Sequence, residues 1–273
     1  MYNNFGRGVV QGNRTALISF ILVFLFFFTG YDANCLKAFA QEASIFKDTG
    51  EETDLQYEYD EWIDDLEEDE SVPQVRDPLE RFNRCIFAFN DFFYFKALKP
   101  VARGYRFITP EPVRVRVKNF FYNIGFPVRF VNNILQIKFK RAGQDTCQFV
   151  FNSTVGILGF FNPAQKYPWL NPPPEDTGQT LGTWGVGNGF YIVLPMLGPS
   201  TLRDSVGIVS DYFLQPVSYI EPVYISLGAR SYEIVNKTSL SIGEYESLKE
   251  SAFDPYIAFK DAYIQYREKA IHE

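Results

Sequence analysis

The segment that most restricts the fold is 79–95, where apolar residues recur at helical spacing and then overflow it. Leu79, Phe82, Ile86, Phe89 and Phe93 fall three and four residues apart, the repeat of one helix face. Phe87, Phe92, Tyr94 and Phe95 widen that stripe beyond what a single core face needs. A helix this apolar is either deeply buried or turned toward lipid. Asp77-Pro78 just ahead reads as an N-cap followed by proline at the first helical position, where a missing N–H costs nothing.

The same repeat continues along the chain. Pro112 opens a segment with Val113, Val117 and Phe120 in line, although Val113, Val115 and Val117 also alternate as in a strand, so both readings stand. Val128, Val131, Leu135 and Phe139 mark a further helix, and Cys147, Val150, Thr154 and Ile157 another over 144–158. Leu202, Val206, Val209 and Phe213 follow a Ser200-Thr201 cap. Asp254-Pro255 repeats the cap-plus-proline start ahead of Tyr256, Phe259, Tyr263, Tyr266 and Ala270. The expected fold class is mainly α, a single domain of amphipathic helices. Beyond residue 40 no stretch reaches the roughly 18 uninterrupted apolar residues of a membrane-crossing helix, which leaves helices lying in or on a bilayer.

Three segments follow from composition. Residues 1–40 read as a secretory signal peptide: Arg7 and Arg14 lead, Ala16 to Phe28 is apolar except for Ser19, and Ala38-Phe39-Ala40 offers small residues for cleavage. Cys35 raises lipidation, but Asp32 and Asn34 flank it poorly, so a lipid anchor there is not expected. Residues 41–73 read as an acidic disordered linker. From Asp48 to Glu70 there are 13 Asp or Glu and no Lys or Arg, a run that repels itself; an acidic arm docking on a basic surface is the other reading. Residues 74–273 form the helical domain. The net charge of −7 hides a division within it, since 76–141 carries 14 basic against 4 acidic residues and 142–273 carries 8 against 14. Basic residues interleaved with Phe, Val and Ile suit anionic lipid headgroups better than nucleic acid in an exported chain.

Enzyme chemistry has few places to stand. The only histidine is His272, one residue from the C-terminus. That removes Ser-His-Asp and Cys-His arrangements and histidine-based metal sites. A Ser-Lys or Asp-Asp hydrolase stays open at Ser200-Thr201-Leu202-Arg203-Asp204, which also reads as a helix cap. No catalytic residue, metal or cofactor is expected. In an oxidising compartment Cys85 and Cys147 could pair, or each could be a buried free thiol; both stand. Gly182-Thr183-Trp184-Gly185-Val186-Gly187-Asn188-Gly189-Phe190 has glycines at intervals of two, with Pro172-Pro173-Pro174-Glu175-Asp176 before it rather than a strand. Nucleotide binding is therefore not expected, and a tight bend or hinged loop is.

Several long motifs together resemble one family. Asp77-Pro78-Leu79-Glu80-Arg81-Phe82-Asn83-Arg84 with Phe89-Asn90 is similar to the opening signature of MlaA/VacJ proteins. Glu175-Asp176-Thr177-Gly178-Gln179-Thr180-Leu181-Gly182 continues it, through Trp184-Gly185-Val186-Gly187, Leu197-Gly198-Pro199-Ser200 and Arg203-Asp204 to Asp254-Pro255-Tyr256 and Ala262-Tyr263. The resemblance implies a helical ring around a central channel in the inner leaflet of a Gram-negative outer membrane. Such a ring removes phospholipid misplaced in the outer leaflet, so maintaining lipid asymmetry. It passes the lipid to a periplasmic MlaC-type carrier, beside an outer-membrane porin trimer. It further implies a mobile Gly-rich hairpin loop matched by Gly185 and Gly187, with Gly189 beside them. Phe82, Asn83, Phe89 and Asn90 would set how open the channel is. A membrane-bound phospholipase and a structural porin-associated adaptor are the alternatives.

Overall fold

The computed structural model describes residues 75–273; the expected signal peptide, the acidic linker and Cys35 lie outside the described residues. Helix α1 spans Glu80–Phe93 and runs through a π-helical turn, Tyr94–Leu98, into α2, Lys99–Ile108. Then come α3 (Glu111–Ile124), α4 (Phe126–Leu135) and α5 (Phe139–Thr154). Two short 3-10 turns lead to α6 (Thr177–Thr183), followed by an antiparallel hairpin of β1 (Tyr191–Leu194) and β2 (Gly198–Thr201). Helices α7 (Leu202–Leu214), α8 (Val223–Leu240), α9 (Glu244–Ser251) and α10 (Pro255–His272) complete the domain. Among the described residues no helix is long and apolar enough to cross a membrane.

Several local expectations need correction. Asp77 does not cap α1, which starts at Glu80 behind Leu79 with no side-chain cap. Its carboxylate is drawn away by Asn83 Nδ2 at 2.8 Å and by the Tyr256 hydroxyl. The strand-like alternation of Val113, Val115 and Val117 resolves as helix, with Pro112 in the first turn of α3. The helix expected through Phe139 stops at Leu135. Ile137 takes φ 60°, a left-handed backbone no helix continues through, and Phe139 opens α5. Helix α5 starts earlier than 144 and ends at Thr154; Ile157, at φ 53°, lies past its end. Cys147 is exposed with a free thiol, so it neither pairs with Cys85 nor is buried. His272 ends α10, its Nε2 3.2 Å from Glu268 Oε1, with no nucleophile beside it among the described contacts. Thr201 caps α7 through Asp204 N, and Asp254 caps α10 through Tyr256 N, both where the sequence places them.

A small apolar core joins α1, the hairpin and α10. Val75, Ile86, Tyr191, Val193, Tyr256 and Ile264 are buried there, with Phe82, Phe87 and Tyr263 packed against them. Elsewhere the helices are turned inside out. Helix α5 buries Ala142, Asp145, Gln148 and Asn152, while Val150 faces outward. Helix α7 buries Arg203, Asp204 and Gly207, while Leu202, Val206, Val209 and Phe213, the whole stripe read from the sequence, are exposed. Helix α4 buries Arg129, Asn132 and Asn133 and presents Ile134 and Leu135. Helix α8 buries Ser226, Asn236 and Ser239 and presents Tyr224, Leu227 and Ile234. Exposed apolar surface this extensive marks a site for a partner, protein or lipid.

Helix α9 is fastened to the α1–α2 junction by charge. Lys99 Nζ lies 2.6 Å from Glu246 Oε1, and Lys249 Nζ 2.7 Å from Asp91 Oδ1. Burial pushes the Glu246 carboxyl up, but Lys99, the Gly243 amide and the Tyr94 hydroxyl together hold it down to about 2. A carboxyl depressed on folding adds stability that is complete above its ordinary value of 4.5 and is lost as pH falls toward about 2. Glu246→Gln is therefore expected to match wild type in the steepness of its acid unfolding everywhere except that window, where its curve flattens. Thermal melts at stepped pH check this, and identical curves in the window would rule out the pairing as a source of stability.

Candidate functional site

The buried polar side chains of the inverted helices bond to one another, and the segment 175–180 takes part in many of these contacts. Asp176 caps α6 by accepting from Gln179 N at 2.9 Å, while Gln179 Oε1 accepts from Asp176 N at 2.8 Å, a reciprocal box. Glu175, buried, receives Lys138 Nζ at 2.8 Å, Arg141 Nη1 at 2.9 Å and Gln136 Nε2 at 2.9 Å. Thr177 Oγ1 donates to Asp211 Oδ1 at 2.6 Å, and Thr180 Oγ1 donates to Asn132 Oδ1 at 2.7 Å. Glu175 and Thr180 thus join this segment to the α4–α5 region, and Thr177 joins it to α7. Gly178 is required by contact: a Cβ there would lie 2.5 Å from both Arg267 Nη2 and Asp204 Oδ1. Gly207 faces it, where a Cβ would meet Gly178 N at 2.5 Å, so α6 and α7 cross at two glycines.

Arg267 ties this crossing to α10. Its Nε and Nη2 reach Asp204 at 3.0 Å each, and its Nη1 and Nη2 reach Asp176 at 2.6 and 2.9 Å. Tyr263 adds its hydroxyl to Asp204 Oδ2 at 2.8 Å, and Arg203 Nε adds a bond to Oδ1 at 3.0 Å. Burial alone would raise the Asp204 carboxyl; the two guanidiniums and the phenol overcome it and hold the group below the usual carboxylate range. Between α4 and α5 Arg129 pairs with Asp145 at 3.2 Å and Asn133 Nδ2 donates to Asp145 Oδ2 at 2.8 Å, yet burial prevails there and the carboxyl is pushed up. The sequence flagged Asp204 only as part of the possible hydrolase and of the helix cap, and did not single out Glu175, Asp176 or Arg267 for a role. The available signal was Arg267 standing four residues after Tyr263, on the face of α10 that buries Tyr256 and Ile264.

The hairpin is held to α1 by two asparagines. Asn83 Nδ2 donates to Tyr191 O at 3.1 Å and its Oδ1 accepts from Val193 N at 2.9 Å. Asn90 repeats the pattern, donating to Leu194 O at 3.0 Å and accepting from Met196 N at 2.7 Å. The spacing explains why both can bond. Seven residues of helix rise about 10.5 Å on nearly one face, and three residues of strand span about 10 Å. The two amides therefore act as rungs along the outer edge of β1. Phe89 is buried and stacks on Phe93, ring centres 6.5 Å apart, and Phe82 packs at the margin of the apolar core.

Gly185, Gly187 and Gly189 lie in the loop between α6 and β1 rather than at the hairpin tip, which is Pro195-Met196-Leu197. Gly185 takes φ 85°, and nothing stands within 4 Å of a Cβ built on it or on Gly187. Gly189, at φ 70°, would place a Cβ 2.9 Å from that of Leu202. Trp184 anchors the start of the loop by donating Nε1–H to Leu135 O at 3.1 Å. The structure thus brings Asn83 and Asn90 to the hairpin, and sets the glycines beside its base.

The residues of the possible hydrolase are committed elsewhere. Ser200, buried, has its hydroxyl 3.1 Å from Ser205 Oγ and 3.2 Å from Thr201 O, while Thr201 caps α7 and Asp204 holds Arg203 and Arg267.

Residues 75–270 match the family model described as MlaA lipoprotein. A protein of Escherichia coli (strain K12) named intermembrane phospholipid transport system lipoprotein MlaA is 34% identical over 197 residues, covering 69% of this chain and 76% of its own. The protein of that name from Haemophilus influenzae is 30% identical over 202 residues, covering 71% and 78%. An uncharacterised protein of Rickettsia bellii is 34% identical over 201 residues, covering 72% and 78%. A solved structure, described as the structural basis for maintenance of bacterial outer membrane lipid asymmetry, superposes with a TM-score of 0.64. It is 32% identical and covers 71% of this chain and 98% of its own.

Proposed function

The chain belongs to the MlaA lipoprotein family, and from that premise we propose that it transports phospholipid without altering it chemically. In this reading the exposed apolar faces of α5, α7 and α8 seat the domain in the inner leaflet of the outer membrane as a ring. Phospholipid misplaced in the outer leaflet passes through its centre to a periplasmic carrier of the MlaC type, beside a porin trimer. The observation that carries the proposal is the inversion of the helices. A two-tailed amphiphile in transit needs apolar wall for chains that lose about 0.8 kcal/mol per CH₂ in water and polar groups for its head. The outward apolar faces give the acyl chains of the leaflet a surface to meet, and the buried charged contacts brace the helices behind them. Asn83 and Asn90 hold the hairpin, and the loop of Gly185, Gly187 and Gly189 beside it supplies the freedom to move; Phe82 and Phe89 keep α1 in place.

Deletion of the protein is expected to raise outer-leaflet phospholipid with no change in the release of lysolipid or fatty acid. Leaflet-specific labelling checks it. An unchanged leaflet refutes transport, and a fall in lysolipid favours the phospholipase reading. Gly187→Pro stiffens the loop where no Cβ clash arises. It is expected to leave the melting temperature intact while bringing the leaflet phenotype toward that of the deletion. Normal asymmetry in that variant removes the hinge.

A further inference from the structure

The corner between α2 and α3 combines two features that each need a partner. Phe107 and Ile108, at the end of α2, are 92% and 80% exposed. Beside them on α2, Arg103 and Arg106 are exposed, and neither forms an ion pair with a described residue. Glu111 is the only carboxylate in the sequence between Lys96 and Lys118. The corner is built rather than loose. Buried Arg114 donates to Thr109 O at 3.1 Å and to Ser239 O at 2.7 Å, and Asn236 Nδ2 returns a bond to Arg114 O at 3.0 Å. The turn is thereby locked to α8, and the apolar tip and its cations are presented in a fixed arrangement.

We propose that this corner docks on an anionic lipid surface, with Phe107 and Ile108 entering the acyl boundary and Arg103 and Arg106 meeting negatively charged headgroups. A neutral bilayer would call for the wedge alone, and a soluble acidic partner for the cations alone. An anionic bilayer is the partner that uses both. The inference deepens the membrane seating in the proposed function and rests on it, but not on the passage of lipid.

The test presents the purified full chain with vesicles of phosphatidylethanolamine, and with vesicles in which part of that lipid is replaced by phosphatidylglycerol. The ratio of the two affinities is measured against salt. Each near-surface charge is worth about fivefold, so the anionic vesicles are expected to be favoured more than tenfold at low salt, the preference fading as salt rises. Arg103→Gln with Arg106→Gln is expected to cut the ratio at least fivefold with an unchanged melting temperature. Phe107→Ser with Ile108→Ser is expected to weaken both affinities alike. Equal binding of wild type to both vesicles overturns the inference, as does a wild-type ratio in the arginine variant. Binding of soluble polyglutamate without any preference for the anionic vesicles overturns it too. Loss of lipid asymmetry maintenance with this ratio intact points instead to the transport reading or its path.

Discussion

Arg267→Leu is expected to destabilise the protein by about 3–5 kcal/mol, the usual cost of removing one partner from a buried ion pair. One guanidinium makes four bonds to two carboxylates that belong to different helices, Asp176 at the start of α6 and Asp204 in the first turn of α7. Removing it leaves Asp204 buried beside the crossing where Gly178 and Gly207 already bring the backbones together, while Asp176, about a third exposed, can turn toward water. Asp176 is also the cap of α6, and its repulsion from Asp204 would work against that box. Arg267→Lys is expected to recover only part of the loss, because a single ammonium cannot span both carboxylates as a planar fork does. Adding Asp204→Asn to Arg267→Leu is expected to restore some stability by removing one stranded charge. Denaturant unfolding of the detergent-purified protein reads all three. A loss of less than about 1 kcal/mol in Arg267→Leu would show that the crossing does not depend on this pairing.

Asn83→Leu is expected to cost about 2–6 kcal/mol, since it leaves Val193 N and Tyr191 O buried without partners at about 1–3 kcal/mol each. Asn90→Leu is expected to cost nearer 1 kcal/mol, because Met196 and the tip around it are exposed and water replaces the lost bonds. The two variants therefore separate fold from motion. Hydrogen exchange at the Met196 amide is expected to rise sharply in Asn90→Leu while the amides of α1 stay protected. In the proposed function that unhooked tip would change lipid flow without unfolding the domain. Asn83→Leu as stable as wild type, or an unchanged Met196 amide in Asn90→Leu, would mean the rungs do not hold the hairpin.

The helices of this fold are legible in the sequence largely through their caps and apolar stripes, and the cases that fail do so for physical reasons. Thr201 and Asp254 cap where expected; Arg84 also bonds Asp254, but through Oδ2, which leaves Oδ1 to the cap. Asp77 looks the same in sequence but is taken by Asn83 and Tyr256, the second of them 179 residues away. Helix α8 gives little periodic signal because Ser226, Gly228 and Ser231 interrupt its apolar positions. The stripes themselves mark helices correctly and leave their burial open: Ile86 and Phe89 face the core, whereas Leu202, Val206, Val209 and Phe213 are in line on the outside. Periodicity reports that a helix has two faces, and not which phase each one meets. The candidate site divides in the same way. Asn83, Asn90 and the glycines were accessible through resemblance to a family, whereas the partnership of Asp176, Asp204 and Arg267 depends on contacts across 63 and 91 residues.

The inversion of the helices also bears on how this protein responds to temperature. In a soluble domain, unfolding exposes apolar surface to water, and the resulting rise in heat capacity bends the stability curve so that it falls on both heating and cooling. Here much of that surface is already outside before the chain unfolds, while the interior that opens is polar, and exposing polar surface lowers heat capacity. The two contributions oppose one another, so the stability of this fold should vary with temperature along a nearly straight line, set by the enthalpy of its buried bonds rather than by the ordering of water.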